Sequence, residues 1–491
     1  MMEVIRDVSF ASRIEKLQNP DFEKEYVPDS LKGILREYQK AGAAWIGMLY
    51  SNQFGGILAD DMGLGKTLQV ISFLLVEHTG CSLIVCPASL VYNWKHELER
   101  FAPSLKADMV TGNIQQRKEV LDRWKEVDVL ITSYDLLRRD ITDYQELHFF
   151  CEVIDEAQYI KNHGTQAARA VKQVQTGFRL ALTGTPIENR LSELWSIFDY
   201  LMPGYLYSYQ RFRTELEQPI VQHKDEDAAK RLQRLIRPFV LRRLKKEVLQ
   251  DLPDKLEENL YADMDGEQQE LYDAHVRRMK LMLEEKSDEE IRTDKIEILA
   301  ELTRLRQLCC DPALLYDNYK GGSAKTELVR GLIRNAVENG HKVLLFSQFT
   351  TMLERLYRIL EEEKIASHML TGATPKEKRI EMVESFAHDE VPVFCISLKA
   401  GGTGLNLTAA DVVIHFDPWW NSAVQNQATD RAHRIGQKNV VNVYRILAKG
   451  TIEEKIVELQ ERKLQLSDRI LGGESLQAQG LTREELLELL R

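Results

Sequence analysis

The sequence predicts an α/β protein built from two RecA-like lobes, parallel sheets flanked by helices, with helical insertions and a C-terminal helical segment. Three observations carry this. Short apolar runs alternate with helical stretches, as in parallel sheets covered by helices. The alternation occurs twice, before about residue 190 and after about residue 340. A glycine-rich loop ending in Gly-Lys-Thr follows the first apolar run.

In the first half the strand candidates are F-G-G-I-L-A, S-L-I-V-C-P, D-V-L-I-T-S, F-F-C-E-V-I-D-E and F-R-L-A-L-T-G-T. They are apolar nearly throughout, as strands buried on both faces are. K-V-L-L-F-S, V-P-V-F-C-I-S-L, D-V-V-I-H-F-D and V-N-V-Y-R-I-L repeat the pattern in the second half. Between the two, the chain turns to long, charged helical stretches. R-R-L-K-K-E-V-L-Q-D-L-P-D-K reads as the crossing between lobes, with Pro253 as a break. T-R-E-E starts a last helix by a capping box of Thr482 and Glu485.

The bulk numbers set outer limits. At 491 residues, a length of about 150 per domain suggests about three compact units. Hydrophobic residues at 44% and charged ones at 29% suit a globular protein with real cores. No apolar run approaches the ~18–20 residues that span a bilayer. The opening M-M-E-V-I-R-D-V-S-F lacks a signal-peptide pattern, which predicts a protein that stays where it is made. Cys81, Cys86, Cys151, Cys309, Cys310 and Cys395 form no C-x-x-C pair, so they read as buried reduced thiols rather than a zinc site. The net charge of −11 opposes contact with phosphates, yet net charge says little about one local surface. From Ala228 to Lys246 eight Lys or Arg occur without an acid. That run fits either a solvated helix face or a phosphate-facing patch.

The phosphate site is the sharpest motif. D-D-M-G-L-G-K-T, Asp60, Asp61, Met62, Gly63, Leu64, Gly65, Lys66 and Thr67, lies between a strand and the helical L-Q-V-I-S-F-L-L, the context a P-loop requires. Gly63 and Gly65 let the backbone turn its N–H groups toward phosphates, and the following helix adds its partial positive charge. Lys66 is placed to reach the β- and γ-phosphates of ATP, and the Thr67 hydroxyl to ligate magnesium. Asp60 departs from the strict pattern, which has glycine there. F-F-C-E-V-I-D-E-A-Q puts Asp155 and Glu156 at a strand end, where parallel sheets face their ligands. Asp155 is the candidate magnesium ligand, and Glu156 the candidate base for the attacking water.

Further along, L-T-G-T-P-I-E-N, S-L-K-A-G-G-T-G-L-N-L-T, D-P-W-W-N and Q-A-T-D-R-A-H-R-I-G-Q follow in order. Asn421 or Ser422 can cap a helix ending before Gly436, on which Gln427, Arg431 and Arg434 share a face. Two arginines presented together suit charge stabilisation at a γ-phosphate.

Taken together these motifs resemble helicase superfamily two, and within it the Swi/Snf family of DNA-dependent ATPases, in particular a prokaryotic member's motor core. The resemblance covers about residues 30–460. It implies a lead-in over 1–29, a first ATP-binding lobe over 30–240 with a helical insertion about 191–236, and a linker over 241–258. A second lobe follows over 259–450, with an insertion about 264–322, and then a helical brace over 451–491. It implies that Gln39 recognises adenine and that Gly404 and Gln427 also border the nucleotide. Thr183, Gly184 and Thr185 then couple hydrolysis to lobe movement. Thr403 and Asn406, with Ser89, Asn93, Lys95, Thr132, Ser133 and Trp420, are its candidates for the nucleic-acid backbone. For Trp419 and Trp420 the sequence itself leaves core, interlobe packing and DNA contact open.

The function implied is a DNA-dependent ATPase (ATP and water to ADP and phosphate) that uses magnesium, translocates on double-stranded DNA and remodels protein–DNA complexes without separating strands. Its implied partners are duplex DNA and DNA-bound proteins or RNA polymerase; no membrane is implied, and the motor is expected to be monomeric. An RNA or DNA helicase of the same superfamily and an ATP-gated protein-binding clamp are the alternatives. Little precedes residue 30, so the chain reads as the motor portion of something larger. The lack of a basic localisation run points to a cytoplasmic, prokaryotic setting.

Overall fold

A computed structural model describes residues 26–184, 191–223, 225–249, 253–285, 294–398, 406–420, 422–458 and 460. They form two compact units, the first ending by Gln250 and the second beginning from Asp251.

In the first unit seven strands make one parallel sheet. They are β1 (Gly56–Leu58), β2 (Ser82–Cys86), β3 (Ala107–Met109), β4 (Val129–Ser133), β5 (His148–Asp155), β6 (Gln175–Leu182) and β7 (Val240–Leu241). Their order is β3-β4-β2-β5-β6-β1-β7. Every residue of β1, β2 and β4 is buried, which is why these segments carry no charged residue and are rich in Val, Leu and Ile. Burying each such side chain contributes roughly 1.5–3 kcal/mol. Register sets the site: Leu182 of β6 lies opposite both Leu58 of β1 and Asp155 of β5. The chain therefore leaves three neighbouring strands at one level, and their loops meet at the carboxyl edge of the sheet.

The second unit repeats the plan with six parallel strands. β8 (Lys255–Ala262), β9 (Val343–Ser347), β10 (Ser367–Leu370), β11 (Val393–Ser397), β12 (Val412–His415) and β13 (Val441–Ala448) run in the order β10-β11-β9-β12-β13-β8. The helices Gly266–Glu285 and Lys295–Cys310 bring Tyr272, Met279, Leu302 and Leu305 into a core shared with Ile452 and Ile456. Nearby, the Lys325 ammonium is buried against the Glu453 carboxylate at 2.8 Å.

The stretch 241–258, expected as a linker, meets a sheet at each end, with Leu241 in β7 and residues 255–258 in β8. Leu241 pairs with Leu58 in the first sheet, and Lys255 with Val441 in the second. All six cysteines are buried free thiols. Among the described residues no helix is long and apolar enough to cross a membrane, and no group of His, Cys, Asp and Glu is arranged to hold a metal by itself. The capping box of Thr482 and Glu485 lies outside the described residues.

Candidate nucleotide site

The P-loop follows β1 and ends in the helix Lys66–Val76. Gly63 and Gly65 hold φ of +83° and +74°, backbone that a side chain rarely tolerates. A Cβ on Gly65 would lie 2.4 Å from Gln39 Nε2, so the loop is closed around that amide. Gln39 is buried; its Nε2 donates to the Leu64 carbonyl at 3.1 Å, and its Oε1 accepts from the Arg36 N–H at 2.9 Å. The Lys66 ammonium donates to the Asp60 carbonyl at 2.6 Å and more distantly to that of Asp61, at 3.4 Å. A cation at the start of a helix, beside loop N–H groups, is a donor set that fits a polyphosphate.

Asp155 closes β5. Its Oδ2 accepts from the Trp94 indole N–H at 2.9 Å and its Oδ1 from the Glu156 N–H at 2.9 Å, while its carbonyl accepts from the Tyr134 hydroxyl at 2.8 Å. Burial, then the neighbouring Glu156 carboxylate, push the Asp155 carboxyl up to about 6; the Trp94 bond and the Lys66 charge act the other way. Glu156 has a left-handed backbone, φ 53° and ψ 58°, which costs about 1–3 kcal/mol in a residue other than glycine. That turn ends the strand's alternation of side chains and starts the short helix Ala157–Ile160. From this helix Gln158 donates by Nε2 to Glu156 at 2.8 Å, while its Oε1 accepts from the Thr183 hydroxyl at 3.2 Å. A carboxylate held this way can orient a water and take its proton.

The first unit thus brings together Gln39, the residues 60–67, Asp155, Glu156, Thr183 and Gly184, the last so close to Met62 that an added Cβ would lie 3.1 Å from its Cγ. Thr185 lies outside the described residues. Trp94, Tyr134 and Gln158 were not anticipated as site residues, although the sequence motifs N-W-K and D-E-A-Q contain two of them.

In the second unit the helix expected to run toward Gly436 is short, Ser422–Thr429. Gln427 is on it, but Arg431 and Arg434 follow in a turn, so the three do not share one helix face. The reason lies in the carbonyls. That of Arg431 accepts from the Leu407 N–H at 3.1 Å, and that of Ala432 from Gln437 Nε2 at 3.1 Å, so one long-range and one local bond take carbonyls that a longer helix would use. Asn406, exposed, precedes Leu407 directly. Thr403 and Gly404 lie outside the described residues.

The residues expected to meet the nucleic-acid backbone lie in different surroundings. Thr132 is fully buried with its hydroxyl toward the Val110 carbonyl, and buried Ser133 caps the helix Tyr134–Arg139 through Leu136 N–H. Lys95 bonds the Ala107 carbonyl and pairs with Glu99 at 3.3 Å. Trp420 packs into the helical core of the second unit, with the Arg306 guanidinium 5.8 Å from its ring centre. Arg306 also bonds the Pro418 carbonyl and faces buried Asp417 at 3.7 Å, so Asp417, Pro418 and Trp420 gather around one guanidinium. Ser89 is half-exposed and Asn93 exposed, so these two remain at the surface. The basic run divides: Lys230, Arg231, Arg234 and Arg237 are exposed, whereas Arg243 turns inward to Asp60.

Comparison with known proteins places this geometry. The SNF2-related domain family matches residues 38–314, and the helicase conserved C-terminal domain matches 324–436. The chain is similar to an uncharacterized ATP-dependent helicase of Mycoplasma genitalium, 42% identical over 93% of this chain and 44% of the relative. It is also similar to the putative ATP-dependent helicase/translocase YwqA of Bacillus subtilis, 41% identical over 94% of this chain and 51% of that protein. Among solved structures, the Sulfolobus solfataricus SWI2/SNF2 ATPase core in complex with dsDNA is 37% identical, covering 89% of this chain and 93% of that one, with a TM-score of 0.46. The chain spans about half the length of the curated relatives it matches. With a sheet for each half and both domain families matched in order, this chain belongs to the SNF2-related family.

Proposed function

We propose that this chain hydrolyses ATP, with magnesium, to translocate along double-stranded DNA and to remodel protein–DNA complexes without separating the strands. The observation that carries the reading is the linked row Asp155, Glu156, Gln158 and Thr183 beside the P-loop lysine. Lys66, now held by loop carbonyls, exchanges them for phosphate oxygens. Glu156 orients the water and accepts its proton, and Gln158 relays the position of that carboxylate to Thr183. Thr67 and Asp155 would hold magnesium, which supplies charge neutralisation on the phosphates. Arg431 and Arg434 are the second lobe's candidates for the γ-phosphate, Gly404 and Gln427 its candidates to border the nucleotide, and Asn406 its candidate for the nucleic-acid backbone.

Motion along nucleic acid is supported by family membership and by the name helicase/translocase carried by the Bacillus relative. The duplex track is what the family resemblance implies, and it rests on family membership rather than on individual residues. Contacts made to phosphates read no sequence, so binding is expected to be sequence-tolerant and weakened by salt.

The test is ATP hydrolysis alone, with duplex DNA, with single-stranded DNA and with RNA, using Glu156→Gln as the blank. Stimulation chiefly by duplex DNA, absent from the blank, is the expected result. Preferential stimulation and unwinding of RNA duplexes would favour the helicase alternative. Nucleotide binding without turnover under every condition would favour a protein-binding clamp.

A further inference from the structure

Asp60 stands where a strict P-loop has glycine, and its side chain is fully buried. A buried carboxylate is costly unless it is paired and hydrogen-bonded. Its partner comes from 183 residues along the chain: Arg243 Nε donates to Oδ1 at 2.9 Å and Nη2 to Oδ2 at 2.5 Å. Gln69, on the helix that the P-loop starts, donates to the same Oδ2 at 3.1 Å and accepts from Arg243 Nη2 at 2.7 Å. Arg243 Nη1 bonds the Tyr38 carbonyl, and the Tyr38 hydroxyl donates to the Leu64 carbonyl in the loop at 3.1 Å.

The backbone makes the same connection. Ala59 N–H donates to the Leu241 carbonyl at 2.7 Å and Asp61 N–H to that of Arg243 at 3.0 Å, while Lys245 N–H donates to the Asp61 carboxylate at 2.9 Å. The Asp60 carbonyl holds the Lys66 ammonium. Residues 241–245 are thus bonded to residues 59–61, and the carbonyls of Asp60 and Asp61 in turn accept from the phosphate-binding lysine. These residues are also among the last of the first unit, which ends by Gln250.

We infer that Arg243 is a positioning residue for nucleotide binding: by clamping Asp60 it sets the shape of the phosphate loop and ties that shape to the segment leaving the first lobe. This rests on the nucleotide reading above. A lysine cannot replace the guanidinium fork, because a single ammonium does not span both carboxylate oxygens in parallel.

The experiment is calorimetric titration of ADP into the full chain, with melting temperature and steady-state ATP kinetics measured alongside. The proteins are wild type, Arg243→Lys, Arg243→Gln and the double variant Asp60→Asn with Arg243→Gln. Arg243→Gln is expected to weaken ADP binding about tenfold and to raise KM for ATP similarly, with kcat changed by no more than about threefold, the signature of lost uniform binding. Arg243→Lys is expected to fall between it and wild type. The double variant removes the unpaired buried charge, so its melting temperature recovers while ADP binding stays weak. ADP binding by Arg243→Gln equal to wild type would overturn the inference. So would recovery of ADP affinity together with melting temperature in the double variant, which would make the pair structural only. If wild type itself bound neither ADP nor ATP, the nucleotide reading would fall, and this inference with it.

Discussion

The indole N–H of Trp94 donates to the Asp155 carboxylate at 2.9 Å, from a side chain only 1% exposed. The bond fixes one of the two oxygens offered by the candidate magnesium ligand. Such supporting bonds typically tune metal affinity about 10–100-fold. Trp94→Phe keeps an aromatic ring in the core and removes the donor. We expect the magnesium concentration for half-maximal nucleotide binding to rise about tenfold, measured by titrating magnesium at fixed fluorescent nucleotide. An unchanged requirement would make Trp94 a core residue alone.

Glu156→Gln removes the base but keeps its size and its place beside Gln158. Hydrolysis should fall about 10²–10⁴-fold, with ADP and ATP binding retained. Single-turnover measurements beside equilibrium binding separate the two. Parallel loss of both would instead make Glu156 part of the binding site.

Gln158→Leu cuts the link between Glu156 and Thr183 at both ends. A drop in kcat of about tenfold, with KM for ATP nearly unchanged, is the expected pattern for a carboxylate that is still present but loosely held. Steady-state kinetics with saturating duplex DNA gives the answer; a change confined to KM would refute the relay.

Glu152, fully buried in β5, lies 3.4 Å from Arg179 of β6. Burial pushes its carboxyl from 4.5 up to about 8, with Arg179 opposing. The folded chain then binds this proton more tightly than the unfolded chain does. Its contribution to stability is full below about pH 4.5 and is lost as pH rises through 8. Glu152→Gln mimics the protonated form, so its melting temperature should match wild type near pH 5 and exceed it increasingly toward pH 9. Thermal denaturation across that range is the check, and a constant difference would show that proton linkage is not involved.

Lys325 and Glu453 are both fully buried. Lys325→Met alone leaves a buried carboxylate unpaired and should cost about 3–5 kcal/mol. Adding Glu453→Leu should restore most of it. Urea unfolding of the two variants distinguishes this from simple additivity.

The sequence made the central strands plain and hid the outer ones for a physical reason. β3, β7, β8 and β10, the four that did not stand out, are the four sheet edges. An edge strand need not be apolar throughout: β8, K-L-E-E-N-L-Y-A, buries only Ala262. In the site, Lys66, Asp155 and Glu156 were legible because their spacing to a strand and a helix is local. Trp94 with Asp155 and Asp60 with Arg243 were not, because each pair joins residues far apart in sequence. The turn after Thr429 was hidden likewise, since Leu407 and Gln437 take the carbonyls that a longer helix would need.

Gln39 adds a consequence for the choice of base. Its amide is already committed at both ends, to Leu64 and to Arg36. A purine that recruits this glutamine takes it from the phosphate loop, and the net gain is a difference between two hydrogen bonds, each worth only about 1 kcal/mol in water. On the adenine-recognising role that the family resemblance implies for Gln39, discrimination between adenine and guanine would be a competition with the loop's own carbonyl, and stiffening or loosening residues 63–65 would retune it.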